Sequence, residues 1–305
     1  MRDPAALYEV VPEVAAEVAP GLPLVVALTG FSDAGSAVSQ LGDYLLGTLT
    51  SRTLAVFDTD ELLDYRSRRP MVLFDEDHIA EVAVPELALH LVQDEFGQPF
   101  LALVGFEPDF QWLRVQEAIV QLIDRFQVSS TTWVHAIAMP VPHTRPIAVT
   151  VSGNRADLIE SLSAWKPTSQ FPGTIAHALE HRLLAGGSTV TGFALLVSHY
   201  LADAEYPSAL LAALESISAA TGLIFPTDRI REEGREFLAR IEEQVSSNEE
   251  TQRLVANLEA RHDAYMEGTT VRSPLTEDDG SIPSAEQIAS ELERFLASRR
   301  EGEEG

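Results

Sequence analysis

The 305-residue sequence predicts an α/β protein: a three-layer α/β/α core on a largely parallel sheet with inserted hairpins, followed by a C-terminal α-helical appendage. Three observations carry this expectation. Up to about Leu223, short continuous apolar runs alternate with amphipathic helical stretches, the pattern of β-α units whose sheet is covered on both faces. The stretch "VVALTGFSDAGSAVSQLGDYLL", Val25–Leu46, passes from apolar strand through a glycine turn into helix. From Pro226 onward strand signals vanish and charged helical periodicity takes over, so residues 1–225 are expected to form the α/β core and 226–305 an appendage that serves oligomerisation.

The elements follow in order. Leu22–Leu28 is a buried strand bounded by Pro23 and Gly30, and Ala34–Leu49 a helix with Val38, Leu41, Leu45 and Leu49 on its apolar side and Ser32 or Asp33 as N-cap. With a strand at Thr53–Phe57 they make a β-α-β unit, so the two strands are expected to be parallel. The next residues read as a loop, then a hairpin: Met71–Phe74, a turn at Asp75-Glu76-Asp77, and Ile79–Val82. A second strand pair, Ala88–Gln93 and Pro99–Val104, precedes a helix in "DFQWLRVQEAIVQLIDRF" with Leu113, Ala118, Ile119, Leu122 and Phe126 on one side.

Strands follow at Thr131–Met139 and in "IAVTVS", a helix at Thr174–Ala185 ended by Gly186-Gly187, a strand in "STVTGFALLVS", and a helix with Pro207 in its first turn and Gly222 at its end. In the appendage, two charged amphipathic helices are split near Ser246–Asn248 as an antiparallel pair. A third, "AEQIASELERFLASRR", carries a narrow stripe of Ile288, Leu292, Phe295 and Leu296 suited to docking.

Composition limits the chemistry. There is no cysteine, hence no thiol nucleophile, disulfide or thiolate metal site. The net charge of −26 opposes binding to nucleic acid or anionic lipid. No apolar run is long enough to span a membrane, and the N-terminus lacks the pattern of a signal peptide, so a cytoplasmic protein is expected. Lys166 is the single lysine among 21 basic residues.

Gly30, Gly35 and Gly42 do not have dinucleotide-fingerprint spacing, and no phosphate-binding lysine loop exists. The turn is either a structural strand-to-helix connection or a place where helix N–H groups hold an anion. His177 and His181 stand one helical turn apart, but the sequence "HALEH" offers no third ligand. They are expected to be solvated or partner-facing, and no metal site is expected. No serine-hydrolase elbow is present, and no catalytic set is assigned. The loop "VPHTRP" places His143, Thr144 and Arg145 after a buried strand. Together with Gly30, Asp33, Gly35 and Ser36 it forms the candidate ligand cleft, alongside the alternative that Arg145 merely pairs with an acid. "YRSRRP" supplies Tyr65, Arg66, Arg68 and Arg69 as a structural or interface loop expected to find acidic neighbours.

Four stretches taken together, "GFSDAGSA", "DYRSRRP", "VPHTRP" and "SHYLADAEYPSALLAALESISAATG", resemble the proteasome assembly chaperone 2 family in its actinobacterial branch, over about Leu22–Gly222. The arginine bias fits a GC-rich genome of that kind. The resemblance implies a phosphorylase/hydrolase-like three-layer core, a C-terminal helical hairpin, a homotrimer, and a non-enzymatic role in assembly, with proteasome α-subunits as candidate partners and no cofactor. The chain departs from relatives that end in a hydrophobic-tyrosine-any tripeptide, since it ends Glu303-Glu304-Gly305. A carboligase activity of the ATP-grasp kind is not expected from a chain with one lysine. The other reading is a small-molecule binder or hydrolase/phosphorylase-like enzyme using the cleft.

Overall fold

The structure, a computed structural model, describes residues 3–166 and 168–266. In chain order its elements are β1 (Tyr8–Val10), α1 (Pro12–Ala15), β2 (Leu24–Thr29), α2 (Ala37–Gly47), β3 (Thr50–Phe57), α3 (Thr59–Leu62), β4 (Met71–Asp75), β5 (His78–Ala83), β6 (Leu87–Gln93), β7 (Pro99–Phe106), α4 (Trp112–Arg125), β8 (Thr131–Met139), β9 (Ala148–Gly153), α5 (Ala156–Leu162), α6 (Ile175–Ala185), β10 (Val190–Ser198), α7 (Pro207–Thr221), α8 (Asp228–Ser246) and α9 (Glu249–Met266). The third appendage helix and its apolar stripe lie outside the described residues.

Among the described residues, one sheet of eight strands runs in the order β1-β3-β6-β7-β2-β8-β10-β9. β3, β7, β2, β8 and β10 share one direction, and β1, β6 and β9 oppose it. β2 and β3 are parallel as expected but not neighbours, because the β6–β7 hairpin is inserted between them. Continuous apolar sequence follows from this position: β2 and β10 are packed from both sides. Alternate residues of β2 feed two cores. Val25 and Ala27 face α2 and α7, while Leu24 and Val26 face α4 and α6.

The chain divides into two compact units: residues 3–139 with 146–244, and residues 140–145 with 245–266 of those described. The whole sheet lies in the first unit, and α8 joins its core through Ile230 and Phe237, whose ring stacks on Tyr206 at 5.2 Å. In the second unit α9 begins at Asn248, whose carboxamide oxygen accepts from Glu250 N (2.8 Å) and Thr251 N (3.2 Å). This cap is why the charged helical tract breaks there.

Several expectations need correction. Residues 58–62 are not loop: Asp58 caps α3, accepting from Asp60 N at 3.0 Å and Glu61 N at 3.4 Å. α2 starts at Ala37, because Gly35 (φ 69°) and Ser36 (φ 51°) take left-handed backbone conformations that end the preceding turn. Leu113 is 69% exposed; it lies on the far side of α4 from Val115, Ala118, Ile119, Leu122 and Phe126, which form the buried stripe. The β4–β5 hairpin exists as expected, yet belongs to a sheet of its own.

Phe100 is fully buried at the sheet and meets Phe225 edge-on at 6.2 Å, tying β7 to the chain beyond α7. Phe100→Ala should cost about 3–5 kcal/mol, read as a lower urea midpoint; a loss under 1 kcal/mol would mean that this side of the core repacks freely.

Candidate functional site

β2 hands the chain to α2 on one face of the sheet, and its neighbour β7 hands it to α4 on the other. Neighbouring strands that exit to opposite faces leave a crevice outside their carboxyl ends, the usual ligand position in an open α/β sheet. Gly30 and Glu107 sit at that point. Glu107 N donates to Thr29 O at 2.7 Å. Its buried carboxylate accepts from Ile175 N, at the start of α6, at 2.6 Å. A Cβ on Gly30 would run into the Glu107 carboxylate, so glycine is what lets this acid fold over the end of β2. The positive end of α6 compensates the buried charge.

The Gly30–Ser36 turn is pinned by its own hydrogen bonds. Ser32 Oγ donates to Ala136 O (3.2 Å), and Gly35 N to Ala202 O (2.7 Å). The Asp33 carboxylate accepts from Val38 N (2.8 Å) and Ser39 N (2.9 Å), placing a carboxylate of the chain itself at the N-terminus of α2. Burial pushes the Asp33 pKa up, against those backbone donors, which pull it down.

On the α6 side of β8, the rings of Trp133, His135 and His177 pack on one another at 4.7–5.1 Å. His181 is exposed, whereas His177 is half-buried against these rings. Its Nδ1 accepts from Thr174 N at 3.1 Å, completing a capping box and assigning the ring proton to Nε2. Trp133 Nε1 donates to Glu180 at 2.7 Å. Burial, with His177 adding to it, lowers the His135 pKa to about 4; burial also lowers that of His177.

The arginine loop finds acids in part. Arg68 donates to the Glu107 carbonyl (2.6 Å) and pairs with Asp109, while its guanidinium lies over Phe106. Tyr65 Oη donates to Asp60 at 2.5 Å, and Arg66 makes an exposed 3.3 Å pair with Asp64. Arg69 has no ion pair among the described residues.

His143, Thr144 and Arg145 fall in the second unit, and Gly30, Asp33, Gly35 and Ser36 in the first. His143 is buried. Arg145 pairs with both oxygens of Asp263 (2.8 and 2.6 Å) and with Glu259 (3.2 Å), and Thr144 Oγ1 donates to Glu259 at 2.5 Å. Arg145 pulls the Asp263 pKa down to about 2. Among the described residues no group of three His, Asp or Glu side chains is placed to hold a metal ion, and no helix is long and apolar enough to cross a membrane. Sequence reasoning missed Glu107, His135 and the Trp133 cluster. Glu107 had one signal, an acid directly after an apolar strand.

A family model described as the PAC2 family matches residues 27–245. A Corynebacterium glutamicum protein of unknown function is 36% identical with a TM-score of 0.82, covering 86% of this chain and 98% of that one. A Mycobacterium tuberculosis protein of unknown function is 38% identical with a TM-score of 0.78, covering 86% and 90%. At 20% identity, a Mycobacterium tuberculosis proteasome-assembly chaperone homologue shares the fold, with a TM-score of 0.69 and coverage of 77% and 100%. No curated protein matches the chain.

Two outcomes test this geometry. Asp33→Ala should cost about 1 kcal/mol of stability, the worth of a helix cap, with Asp33→Asn keeping part of it; equal stability of all three would remove the capping role. The folded-state pKa of His135 lies below its ordinary 6.5, so the unfolded chain binds more protons between pH 6.5 and about 4. Stability should therefore fall as pH drops through that window, and His135→Gln should flatten the fall. An unchanged slope in urea titrations across the window would contradict the burial of a neutral ring.

Proposed function

This chain belongs to the PAC2 family, and on that premise we propose that it is a non-enzymatic interaction protein: a cytoplasmic, homotrimeric assembly factor whose foreign partners are proteasome α-subunits. One observation carries the reading. The β4–β5 hairpin stands clear of both cores, with every residue from Met71 to Val84 exposed, among them Met71 at 75% and Phe74 at 62%. A two-stranded ribbon is marginal alone in water, and apolar side chains concentrated on one are the mark of a docking element. Fully covering four such side chains is worth about 1.5–3 kcal/mol each, enough to drive association. The proteasome-assembly chaperone homologue of the same fold supports the choice of partner class.

A second reading is favoured by the position of Gly30 and Glu107 at the carboxyl ends of β2 and β7: a small ligand bound there, in the neighbourhood of Asp33, Gly35 and Ser36. A ligand of this kind must raise the melting temperature, so a metabolite panel separates the two readings.

Native mass spectrometry of the full chain with α-subunits of its own organism tests the first reading. The expected result is a mixed complex formed before β-subunits are added and lost in Phe74→Glu. A chain that never enters such a complex would defeat this choice of partner.

A further inference from the structure

β10 is a nine-residue strand inside the sheet, and it is buried at every position except Ala194. The register shows what lies around that opening. Ala194 stands level with His135 on β8 and with Thr150 on the edge strand β9, so the three side chains share one face of the sheet. It is the face that α6 covers. The preceding row on this face is Trp133, Gly192 and Ser152, and there Trp133 Nε1 and Ser152 Oγ both donate to Glu180 of α6, at 2.7 and 2.8 Å.

The two rows are finished differently. A Cβ on Gly192 would run into Ser152, Glu180 and Trp133, so the first row is filled by the protein's own side chains. In the second row Ala194 offers only a methyl group between two polar residues, and its partial exposure shows that this space is left open. Leu196, the next residue of β10 on this face, is buried again, so the opening is a notch one residue long. Two strand spacings put the Cα atoms of His135 and Thr150 roughly 10 Å apart across it, room for one small ring between their side chains.

The polar groups around the notch lack partners. Thr150 Oγ1 is shut off from solvent without a hydrogen bond, the one buried side-chain nitrogen or oxygen among the described residues in that state. Such a hydroxyl costs stability until something pairs with it. His135 meets Trp133 and His177 by ring packing alone. His177 commits Nδ1 to Thr174, which leaves its Nε2–H as a donor with no acceptor among the described residues. Phe171 packs edge-on against the same ring at 5.2 Å and is itself exposed. Burial keeps both imidazoles neutral at neutral pH.

We propose that the Ala194 notch binds one small uncharged ring, an aromatic amide or nitrogen heterocycle, which lies over the Ala194 methyl group and hydrogen-bonds to Thr150 and His135. Neutral imidazoles and a hydroxyl offer both donors and acceptors, which suits a ring carrying both on its edge. They give an anion no counter-charge, so phosphates and carboxylates are poor occupants. The site lies over β8, β10 and β9, apart from the ends of β2 and β7, and depends on neither reading of the function.

Thermal melts of the full chain test it with nicotinamide, benzamide and uracil at about 10 mM, since molecules of this size bind in the millimolar range. Benzoate and phosphate are the charged comparators. At least one uncharged probe should raise the melting temperature by about 2 °C or more, and neither anion should. Ala194→Val fills the notch; it should melt no lower than wild type and lose the shift. Thr150→Val removes the unpaired hydroxyl with little change of shape; it should melt higher than wild type without probe and also lose the shift. If Ala194→Val melts early, Thr150→Val alone decides. A Thr150→Val protein that melts lower would mean that the hydroxyl is bonded within the protein, and would overturn the site. So would the absence of a shift with all three probes, or a shift that both variants keep; the latter would move the ligand elsewhere and leave the ends of β2 and β7 as its place. Stabilisation by Zn²⁺ alone that is lost in His135→Gln would assign the imidazoles to a metal and overturn the ring ligand.

Discussion

β2 is buried on both of its faces, and the rest of the first unit is arranged around that constraint. Its side chains alternate between two cores, so the α2/α7 layer and the α4/α6 layer depend on one strand in one register. It pairs in parallel with β7 along its whole length and with β8 over Leu24–Val26, and Leu24–Ala27 are buried. A slip of one residue would send Val25 and Ala27 into the wrong core and Leu24 and Val26 into the other.

The candidate site inherits its geometry from the end of that strand. Where β2 stops, the backbone of Gly30 passes close under Glu107, and Glu107 reaches on to the first turn of α6. One residue thus joins β2, β7 and α6, and its carboxylate is tolerated there because a helix N-terminus faces it. Asp33 does the same for α2 a few residues later. Both acids serve helix starts, which accounts for the burial of Glu107 and the half-burial of Asp33; Asp94, also buried, accepts instead from Phe96 N, Gln98 N and Ile224 N.

Much of this was legible beforehand. The strands at β2, β8 and β10 announced themselves as continuous apolar runs, and α6 and α7 by periodicity with their terminating glycines. β1 was not legible, because three residues pairing on an edge leave no pattern. α3 had a readable signal, Asp58 followed by two acids at 60 and 61, but it is one turn long and lies in a polar stretch. The hairpin was visible as alternating residues around an acidic turn, while its standing clear of the core depends on packing that no local pattern encodes. Asp64 lies in the arginine loop itself, whereas the Glu107 carbonyl and the Asp109 carboxylate that hold Arg68 come from the connection after β7, some forty residues on, so that convergence follows from the fold and not from spacing. The histidine at 177 looked like a surface residue because its helix is amphipathic only weakly; Trp133 and His135, on β8, are what enclose it.

The start of α6 is held twice, by the Glu107 carboxylate on Ile175 N and by the reciprocal bonds of Thr174 and His177. On the other side, Ser163 Oγ accepts from Val151 N and Ala164 N donates to Val149 O, fixing the chain to β9. The path between them adds an edge-on contact of Phe171 on His177 at 5.2 Å and a bond from Ser163 Oγ to Trp165 O at 3.1 Å, neither of which the two anchors require. The connection from 165 to 173 is therefore free to change length, since each doubling of a flexible loop costs only about 0.6 kcal/mol. It is where this fold can accept an inserted segment, a reporter or a new recognition loop, while the sheet and both cores stay as they are.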